Sequence, residues 1–512
     1  MKISFRGKLR KFFHANRIVT VIVLLLLQIG WMAYFVYAIT NSHYWLPAIS
    51  FTVQLVFVLI ILGTTRNPAY KIGWIILVST FSVFGCVFYL LYGFNLSNKK
   101  LKAKINKSVE ENGVISTEVS AKEKIELLGK TQACISQYLE NKGFALFENS
   151  NAQYFPCGEQ FFPDFLEQLK KAEKFIFLET FIIDYGEIWS QMLDILKEKA
   201  EQGVKIKILY DDMGTISRLP KNYPKTINEL SENIECILFN KVTAFLVQSI
   251  NNRDHRKIAI IDGKVAYTGG MNFADEYANI DSPFGYWKDA MVKITGLAVN
   301  GFTKIYLDLF NAVSKNPEKF SDYAVAEEAC EDGLIQPFAT NPFNKTDIAF
   351  HVYLDMINRA SRYVYISSPY LVPDNDIISS LIHASERGVD VRILTPYIPD
   401  KKIVSRLTRA NFYALMQSGI KIYFYKPGFN HAKMAVFDDE VAFVGSANLD
   451  YMSLFLNFEC GAMFYGGKVV SDLAKDFTKT FSESILVTTS DVKTGVVGKF
   501  VDAVLKTIEM LF

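Results

Sequence analysis

The stretch His255-Arg-Lys-Ile-Ala-Ile-Ile-Asp262 recurs in the second half of the chain as His431-Ala-Lys-Met-Ala-Val-Phe-Asp438. Each copy holds a histidine, a lysine and an aspartate at one spacing, followed at matched positions by a glycine and an asparagine. These are Gly269 and Asn272 in the first copy, and Gly445 and Asn448 in the second. Two imidazoles, two ammonium groups and two amides can hold a phosphodiester and pass it through a covalent intermediate.

The sequence around each copy repeats as strand, helix and strand. Apolar runs at 174–184 and 362–370 are typical of buried strands, and helical segments at 189–202 and 377–387 follow them. Each helix ends at a glycine suited to a C-cap, Gly203 or Gly388, and strands at 204–209 and 389–394 come next. The predicted fold class is α/β, with two pseudo-symmetric mixed-sheet domains packed face to face.

The repeated residues are expected to meet in one pocket. Side chains alternate along an extended strand, so His255 and Lys257 share one face, and the same holds in the second copy. Asn272 and Asn448 each follow a further short strand that returns to the same end of the sheet. We therefore expect the two halves to face each other about a pseudo-two-fold axis, with the histidines across a shared cleft.

Composition narrows the function. Hydrophobic residues make up 50% of the chain, which indicates a partly membrane-embedded protein. The net charge is only +2, which argues against nucleic acid as a partner. The six cysteines lie far apart, which gives little support for a disulfide framework or a zinc site. The sequence has no dense carboxylate cluster near the motifs that could bind a metal. None is needed, because lysines and amides can neutralise a phosphate.

Three apolar stretches open the chain, at 18–38, 45–63 and 72–92. They predict two or three transmembrane helices in a region spanning 1–95. Six basic residues before the first stretch favour a cytoplasmic N-terminus, and the lysines between 99 and 107 favour the inside as well. Two crossings with a cytoplasmic catalytic part fit this pattern best, although three crossings stay open.

The rest of the chain divides into four further regions. A polar linker is predicted at 96–130, a first catalytic domain at 131–330, a second at 331–490, and an amphipathic helix at 491–512. The apolar stripe of that last helix runs from Val497 to Leu511 and suits either a membrane surface or the protein itself.

The doubled motif resembles the phospholipase D superfamily over roughly residues 135–490. Further matches resemble the bacterial cardiolipin synthases within it: the segments 252–257, 269–272, 275–277, 287–289, 368–374, 399–402, 427–431 and 448–450, and the membrane region around 66–68 and 73–74. Met452 departs from the arginine common at its position, and Asn457 stands where related chains can have histidine. Both departures bear on the acceptor preference.

This resemblance implies phosphatidyl transfer from one phosphatidylglycerol to another, releasing glycerol, in a multi-pass bacterial cell-membrane enzyme that needs no cofactor. It implies that His255 is the nucleophile and His431 the acid/base. The predicted catalytic residues are His255, Lys257, Asp262, His431, Lys433 and Asp438; the predicted substrate-binding residues are Asn272, Asn448, Gly270, Ser446 and Glu459.

The sequence also suggests supporting roles for four acidic residues and leaves alternative functions open. Asp262 and Asp438 are expected to orient a histidine, and Glu459 and Asp289 are candidates to support the catalytic residues. The alternative function is a membrane-bound phospholipase D that hydrolyses phospholipids with water. A nuclease or a non-catalytic lipid-binding scaffold fits the apolar segments and the intact motifs less well.

Overall fold

The computed structural model describes residues 17–40, 45–64, 68–93, 99–242, 252–326, 329–330, 332–507 and 509. The described residues form two compact units: one holds those up to residue 100 together with 241–242, 503–507 and 509, and the other holds the rest. The basic residues expected to orient the N-terminus, apart from Arg17, lie outside the described residues, as do Ile508 and Leu511 of the predicted C-terminal stripe.

The first unit contains apolar helices α1 (Arg17–Thr40), α2 (Trp45–Leu62), α3 (Pro68–Thr80) and α4 (Ser82–Phe88), then a π-helical turn at Tyr89–Gly93. In the part of the chain that the structure describes, α2 is long and apolar enough to cross a membrane. The third apolar stretch, which the sequence left open as a possible span, is divided between α3 and α4. At 1.5 Å per residue, the 13 residues of α3 reach only about 20 Å, less than the roughly 30 Å hydrocarbon core.

Two glutamines hydrogen-bond to backbone groups at this break. Where a helix is interrupted in an apolar environment, the freed backbone groups need other partners. Gln54 of α2 donates its side-chain N–H to the carbonyl of Val78 at 3.1 Å, near the end of α3. Gln28 of α1 accepts the N–H of Phe84 at 3.3 Å, at the start of α4. The glutamine side chains of α1 and α2 therefore bond to the two sides of the break.

The second unit begins with α5 (Lys99–Asn112), α6 (Val119–Leu128) and α7 (Lys130–Glu140). The sequence predicted a polar linker or an exposed helix over most of this region, and the structure shows helices that bury a few apolar residues. Ile105 of α5 packs into the core shared by both catalytic domains, and Ala121 and Ile125 of α6 pack into the core of the second. Widely spaced apolar residues are enough to anchor these otherwise charged helices.

The first catalytic domain is built on a seven-stranded sheet in the order β1-β8-β6-β5-β2-β3-β4. Its strands are β1 (Ser150–Phe155), β2 (Phe175–Thr180), β3 (Lys205–Asp211), β4 (Ile234–Phe239), β5 (Ile258–Ile261), β6 (Val265–Gly269) and β8 (Met291–Gly296). Its helices are α8 (Gly158–Lys170), α9 (Glu187–Glu201), α10 (Asp212–Thr215), α11 (Tyr223–Asn228) and α12 (Val299–Val313), and β7 (Tyr286–Lys288) lies outside the sheet. Parallel strands β2 and β3 flank α9, as the repeat predicts.

The second domain has an eight-stranded sheet in the order β19-β13-β12-β10-β15-β16-β18-β9. The strands are β9 (Leu334–Thr340), β10 (Tyr363–Ser367), β12 (Asp390–Pro396), β13 (Lys421–Tyr425), β15 (Met434–Phe437), β16 (Val441–Gly445), β18 (Glu459–Tyr465) and β19 (Ser484–Leu486). Outside it lie β11 (Leu371–Val372), β14 (Gly428–Asn430) and β17 (Leu449–Asp450). The helices are α13 (Ile348–Arg359), α14 (Asn375–Glu386), α15 (Lys402–Gln417), α16 (Tyr451–Phe455), α17 (Gly467–Ser482), α18 (Thr489–Val492) and α19 (Val496–Lys506).

The two sheets pack face to face through one apolar core. Ile258 and Ile260 of β5 share this core with Val436 of β15 and Val444 of β16. The motif strands β5 and β15 therefore lie at the domain interface, and the histidine and lysine of each motif come just before the strand. The predicted fold class of two pseudo-symmetric mixed-sheet domains is confirmed.

Helix α19 matches the predicted C-terminal amphipathic helix over Val496–Lys506. Arg406 of α15 holds it through Asp502, whose carboxylate accepts from the guanidinium at 2.6 Å. Its apolar residues Val497 and Phe500 remain exposed to solvent.

Candidate active site

The backbone around His255 is held by the other domain. The His255 N–H donates to the carbonyl of Phe458 at 2.9 Å, and the Phe458 N–H donates to the carbonyl of Arg253 at 2.8 Å. The next residue, Glu459, begins β18 and places its carboxylate oxygens 2.9 and 3.0 Å from the Nδ1 atom of His255. The first histidine is thus positioned by a carboxylate of the second domain, which leaves its Nε2 atom available for chemistry.

His431 is held by the reciprocal arrangement. Its N–H donates to the carbonyl of Lys288 at 2.7 Å, because β14 of the second domain pairs in parallel with β7 of the first. Asp289 follows β7, and its Oδ2 atom lies 2.6 Å from Nδ1 of His431. Each histidine therefore takes its supporting carboxylate from the opposite domain. Glu459 and Asp289 were both candidates from the sequence, but their exchange between domains was not foreseen.

Two small residues make room for these carboxylates. A Cβ atom at Gly270 would overlap the carboxylate of Asp289, so a side chain there would displace the partner of His431. At the matched position, Ser446 donates its hydroxyl to Glu459 Oε2 at 2.5 Å. Gly270 and Ser446 were predicted to bind substrate. The structure places each against a supporting carboxylate, where it can help to position that group, and contact of these residues with substrate stays a prediction.

The two lysines are almost fully buried beside their histidines. The ammonium group of Lys257 donates to the carbonyl of His255, and that of Lys433 to the carbonyl of His431, both at 2.5 Å. Burial lowers the pKa of Lys257 to about 8 and that of Lys433 to about 7. Buried cations with partly unused N–H donors are suited to bind the non-bridging oxygens of a phosphate.

The pKa values of both histidines depend on charges from both domains. Burial lowers the pKa of His431 well below its usual value, and the charges of Lys433, Lys257 and His255 lower it further. Burial also lowers the pKa of His255 to about 4, although Glu459 opposes the shift. Electrostatic interactions therefore link residues of the two motifs within one site, as expected for a shared cleft.

The two supporting carboxylates, Asp289 and Glu459, differ in the direction of their pKa shifts. Burial raises the pKa of Asp289 to about 7, against the influence of Lys433. Burial also acts to raise the pKa of Glu459, but His255, Lys257 and the Ser446 hydroxyl outweigh it, so the net shift is downward. Glu459 is therefore the more firmly ionised carboxylate of the two.

The motif aspartates have a different role from the one expected. The carboxylate of Asp262 accepts the backbone N–H groups of residues 173–175 at 2.8, 2.8 and 2.9 Å. Asp438 accepts the N–H groups of residues 361–363 at 2.7 to 2.8 Å. Both have left-handed backbones, with φ of 54° and 56°. The expectation that they orient a histidine is wrong, because they anchor the turn after the motif strand to the start of a neighbouring strand.

The two asparagines are only partly engaged. Asn272 accepts the N–H of Ile182 at 3.0 Å and donates to the hydroxyl of Tyr277 at 2.5 Å. Asn448 donates to Asp450 at 3.1 Å. A side-chain amide has two N–H donors, so each asparagine retains one for a phosphate oxygen. Their contact with substrate stays a prediction.

Aromatic rings enclose the histidines. The ring of Phe181 lies 5.1 Å from that of His255, and Trp287 and Phe429 lie 5.3 and 5.7 Å from His431. Phe181 and Phe429 were not identified from the sequence, although each lies where a predicted strand or motif approaches the site. Within the described ranges, no three metal-binding side chains come together to form an ion site.

Comparison with known proteins agrees with this geometry. A family model described as "Cardiolipin synthase, PLD-like domain" matches residues 165–282 and 353–481, and one described as "Phospholipase D-nuclease N-terminal" matches 53–93. A cardiolipin synthase of Geobacillus sp. is 36% identical, covering 82% of this chain and 84% of its own. An uncharacterized protein of Streptococcus mutans is also 36% identical, covering 89% and 99%.

A solved structure supports the fold. The phosphatidylserine synthase of Haemophilus influenzae superposes with a TM-score of 0.56 at 14% identity, covering 74% of this chain and all of that one. The family models, the relatives and the doubled site agree. The chain belongs to the cardiolipin synthase family of phosphatidyltransferases.

Proposed function

We propose that this protein transfers a phosphatidyl group from one phosphatidylglycerol to another, releasing glycerol and forming cardiolipin through a phosphohistidine on His255. The observation that carries the proposal is the reciprocal support of the histidines, each bonded through Nδ1 to a carboxylate of the other domain. This arrangement leaves two Nε2 atoms beside two buried ammonium groups, as phosphoryl transfer with two histidines requires.

In the first step, the Nε2 lone pair of His255 attacks phosphorus, and the bond from phosphorus to the glycerol oxygen breaks. His431 gives its Nε2 proton to that oxygen, so glycerol leaves as a neutral alcohol. Lys257 and Lys433 stabilise the charge that builds on the non-bridging oxygens. The negative charge of the bound phosphate also offsets the cations that lower the pKa of His431, which favours its protonated form in the complex.

In the second step, a hydroxyl of the acceptor lipid gives its proton to Nε2 of His431 and attacks phosphorus. The bond from phosphorus to nitrogen breaks and His255 is restored. Glu459 stabilises the positive imidazole ring of the phosphohistidine through Nδ1. Asp289 holds His431 while its Nε2 atom loses and regains one proton. The aromatic rings around the site favour a lipid over water as the acceptor.

The proposal includes a location in the bacterial cell membrane. The substrates are membrane phospholipids, and α1 and α2 are apolar helices of 24 and 18 residues. At 1.5 Å per residue they reach about 36 and 27 Å, close to the hydrocarbon thickness. We propose that both cross the bilayer, which makes the protein multi-pass.

The test is a product analysis with purified full-length protein in phosphatidylglycerol vesicles, read by mass spectrometry. We expect cardiolipin and glycerol; phosphatidic acid and glycerol would instead assign the hydrolase. His255→Asn and His431→Asn should each abolish transfer, whereas His383→Asn, on the exposed face of α14, should retain it. Phosphohistidine trapped in alkali should map to His255, and mapping to His431 would reverse the two roles.

A further inference from the structure

The segment Pro399-Asp-Lys-Lys402, between β12 and α15, contributes a cation beside the active site. The ammonium group of Lys401 lies 4.9 Å from the ring centre of Tyr370, and the Tyr370 hydroxyl donates to the carboxylate of Asp400 at 2.5 Å. Lys401, Tyr370 and Phe429 line the same small cavity, and the Phe429 ring contacts that of His431. The segment therefore connects through one aromatic ring to the proposed acid/base residue.

Lys401 keeps its charge free of an ion pair. Among the residues that the structure describes, no carboxylate lies within 4.0 Å of its ammonium group, because Tyr370 binds the adjacent Asp400. The corresponding segment of the first domain, after β3, has Arg218 instead. Asp184 and Glu276 neutralise Arg218 at 2.6 and 2.9 Å.

The neutralising glutamate has no counterpart in the second domain. Glu276 follows Asn272 by the interval at which Met452 follows Asn448, and a thioether cannot form an ion pair. The two domains therefore repeat the catalytic groups but not the charge balance around them. Lys401 is exposed next to a phosphate-transfer site, and among the described residues it forms no close ion pair, although its charge also acts on the buried Asp450. A lysine placed in this way can bind a second anionic group of the bound substrates.

The proposed reaction supplies that group. The acceptor phosphatidylglycerol carries its own phosphate, separated from the attacking hydroxyl by the glycerol carbons. Lys257 and Lys433 are committed to the transferred phosphate, so the acceptor phosphate needs another cation. We propose that Lys401 binds the phosphate of the acceptor lipid and so selects a phospholipid over a neutral alcohol. This inference rests on the proposed function.

The charge of Lys401 also reaches the residue that must activate the acceptor. It is among the charges that lower the pKa of His431. A phosphate bound at Lys401 would reduce this effect and favour uptake of the acceptor proton by His431. Acceptor binding and acceptor activation are then served by neighbouring groups on the same side of the site.

The test compares two reactions of the full-length protein in detergent–phosphatidylglycerol micelles. One is cardiolipin synthesis, in which the acceptor has a phosphate. The other is incorporation of labelled glycerol into phosphatidylglycerol, in which the phosphoenzyme is attacked by glycerol and no second phosphate is present. Lys401→Met should lower the ratio of synthesis to incorporation about tenfold or more, the loss of one charge-assisted contact. Lys401→Arg should restore most of it.

Lys402→Met is the matched control, since Lys402 is the exposed neighbour and lines a different cavity with Arg406. Its ratio should equal that of the wild type. An unchanged ratio in Lys401→Met, or an equal fall in Lys402→Met, overturns the inference while the proposed function stands. If the wild type incorporates glycerol but makes no cardiolipin, the proposed function fails and this inference fails with it.

Discussion

Replacing Glu459 with glutamine isolates the charge that the second domain supplies to His255. Glutamine has nearly the same shape, and its carbonyl oxygen can still accept the Nδ1 proton of His255. Its amide would face the Ser446 hydroxyl, which can accept a hydrogen bond while donating its own proton to the Cys460 carbonyl, 3.2 Å away. The substitution removes a negative charge and keeps the shape, but it also places the amide N–H groups near the Nδ1 proton, so the thermal midpoint is needed to separate a change in rate from a change in stability.

The expected magnitude follows from the geometry. Both carboxylate oxygens lie within 3.0 Å of Nδ1, so Glu459 makes a charge-assisted hydrogen bond to a ring that becomes positive in the phosphoenzyme. Such a bond is worth about 1.5–3 kcal/mol. Since each 1.4 kcal/mol corresponds to about a tenfold change in rate, kcat should fall roughly 10- to 100-fold.

The assay is the initial rate of cardiolipin formation in phosphatidylglycerol micelles, with the thermal midpoint measured on the same sample. Glu386→Gln, an exposed position on α14, serves as the control and should behave as the wild type. If Glu459→Gln keeps kcat within about threefold of the wild type at an unchanged thermal midpoint, the carboxylate does not stabilise the charged ring and the reasoning is refuted.

Three further outcomes are expected. Asp262→Ala should lower the free energy of unfolding by about 2–4 kcal/mol, since three backbone N–H groups lose their acceptor. Asp262→Asn should lose less, because asparagine tolerates the left-handed backbone. Equal thermal midpoints of the two variants would contradict this. Gly270→Ala should reduce kcat at least about tenfold by displacing the Asp289 carboxylate, and a rate equal to the wild type would contradict the positioning role. The ammonium forms of Lys257 and Lys433 attract phosphate, and they exist below the pKa values of these lysines, about 8 and about 7. We therefore expect kcat/KM to fall as the pH rises through 7 to 8. A profile that stays flat to pH 9 would exclude this cause.

The sequence predicted the domains and their shared site because local patterns repeat. The alternation around His255 and Lys257 and the glycine-capped helices depend on backbone geometry within a few residues. The role of Asp262 could have been corrected in the same way. It lies seven residues beyond His255 along a largely extended segment, and at about 3.3 Å per residue that is roughly 23 Å, too far to orient that histidine.

Other features depend on contacts that no local pattern records. Asp289 and Glu459 lie at different intervals after Gly270 and Ser446, so the repeat does not reveal that they are equivalent partners. Their exchange arises because each motif pairs with a backbone segment of the opposite domain. The division of the third apolar stretch likewise involves a long-range contact, since Gln28 accepts the N–H of Phe84 far along the chain.

The exchange of carboxylates also bears on why the two motifs take different roles. A phosphohistidine is positively charged for the lifetime of the intermediate, so it benefits from a partner that remains ionised, and Glu459 has a lowered pKa. An acid/base residue must instead gain and lose a proton near neutral pH. Burial brings the pKa of Asp289, the partner of His431, to about 7. The proton between the Asp289 carboxylate and the His431 ring is therefore held less firmly on one of the two groups. A partner that stays ionised suits the charged phosphohistidine, which agrees with the proposed assignment of His255 as the nucleophile.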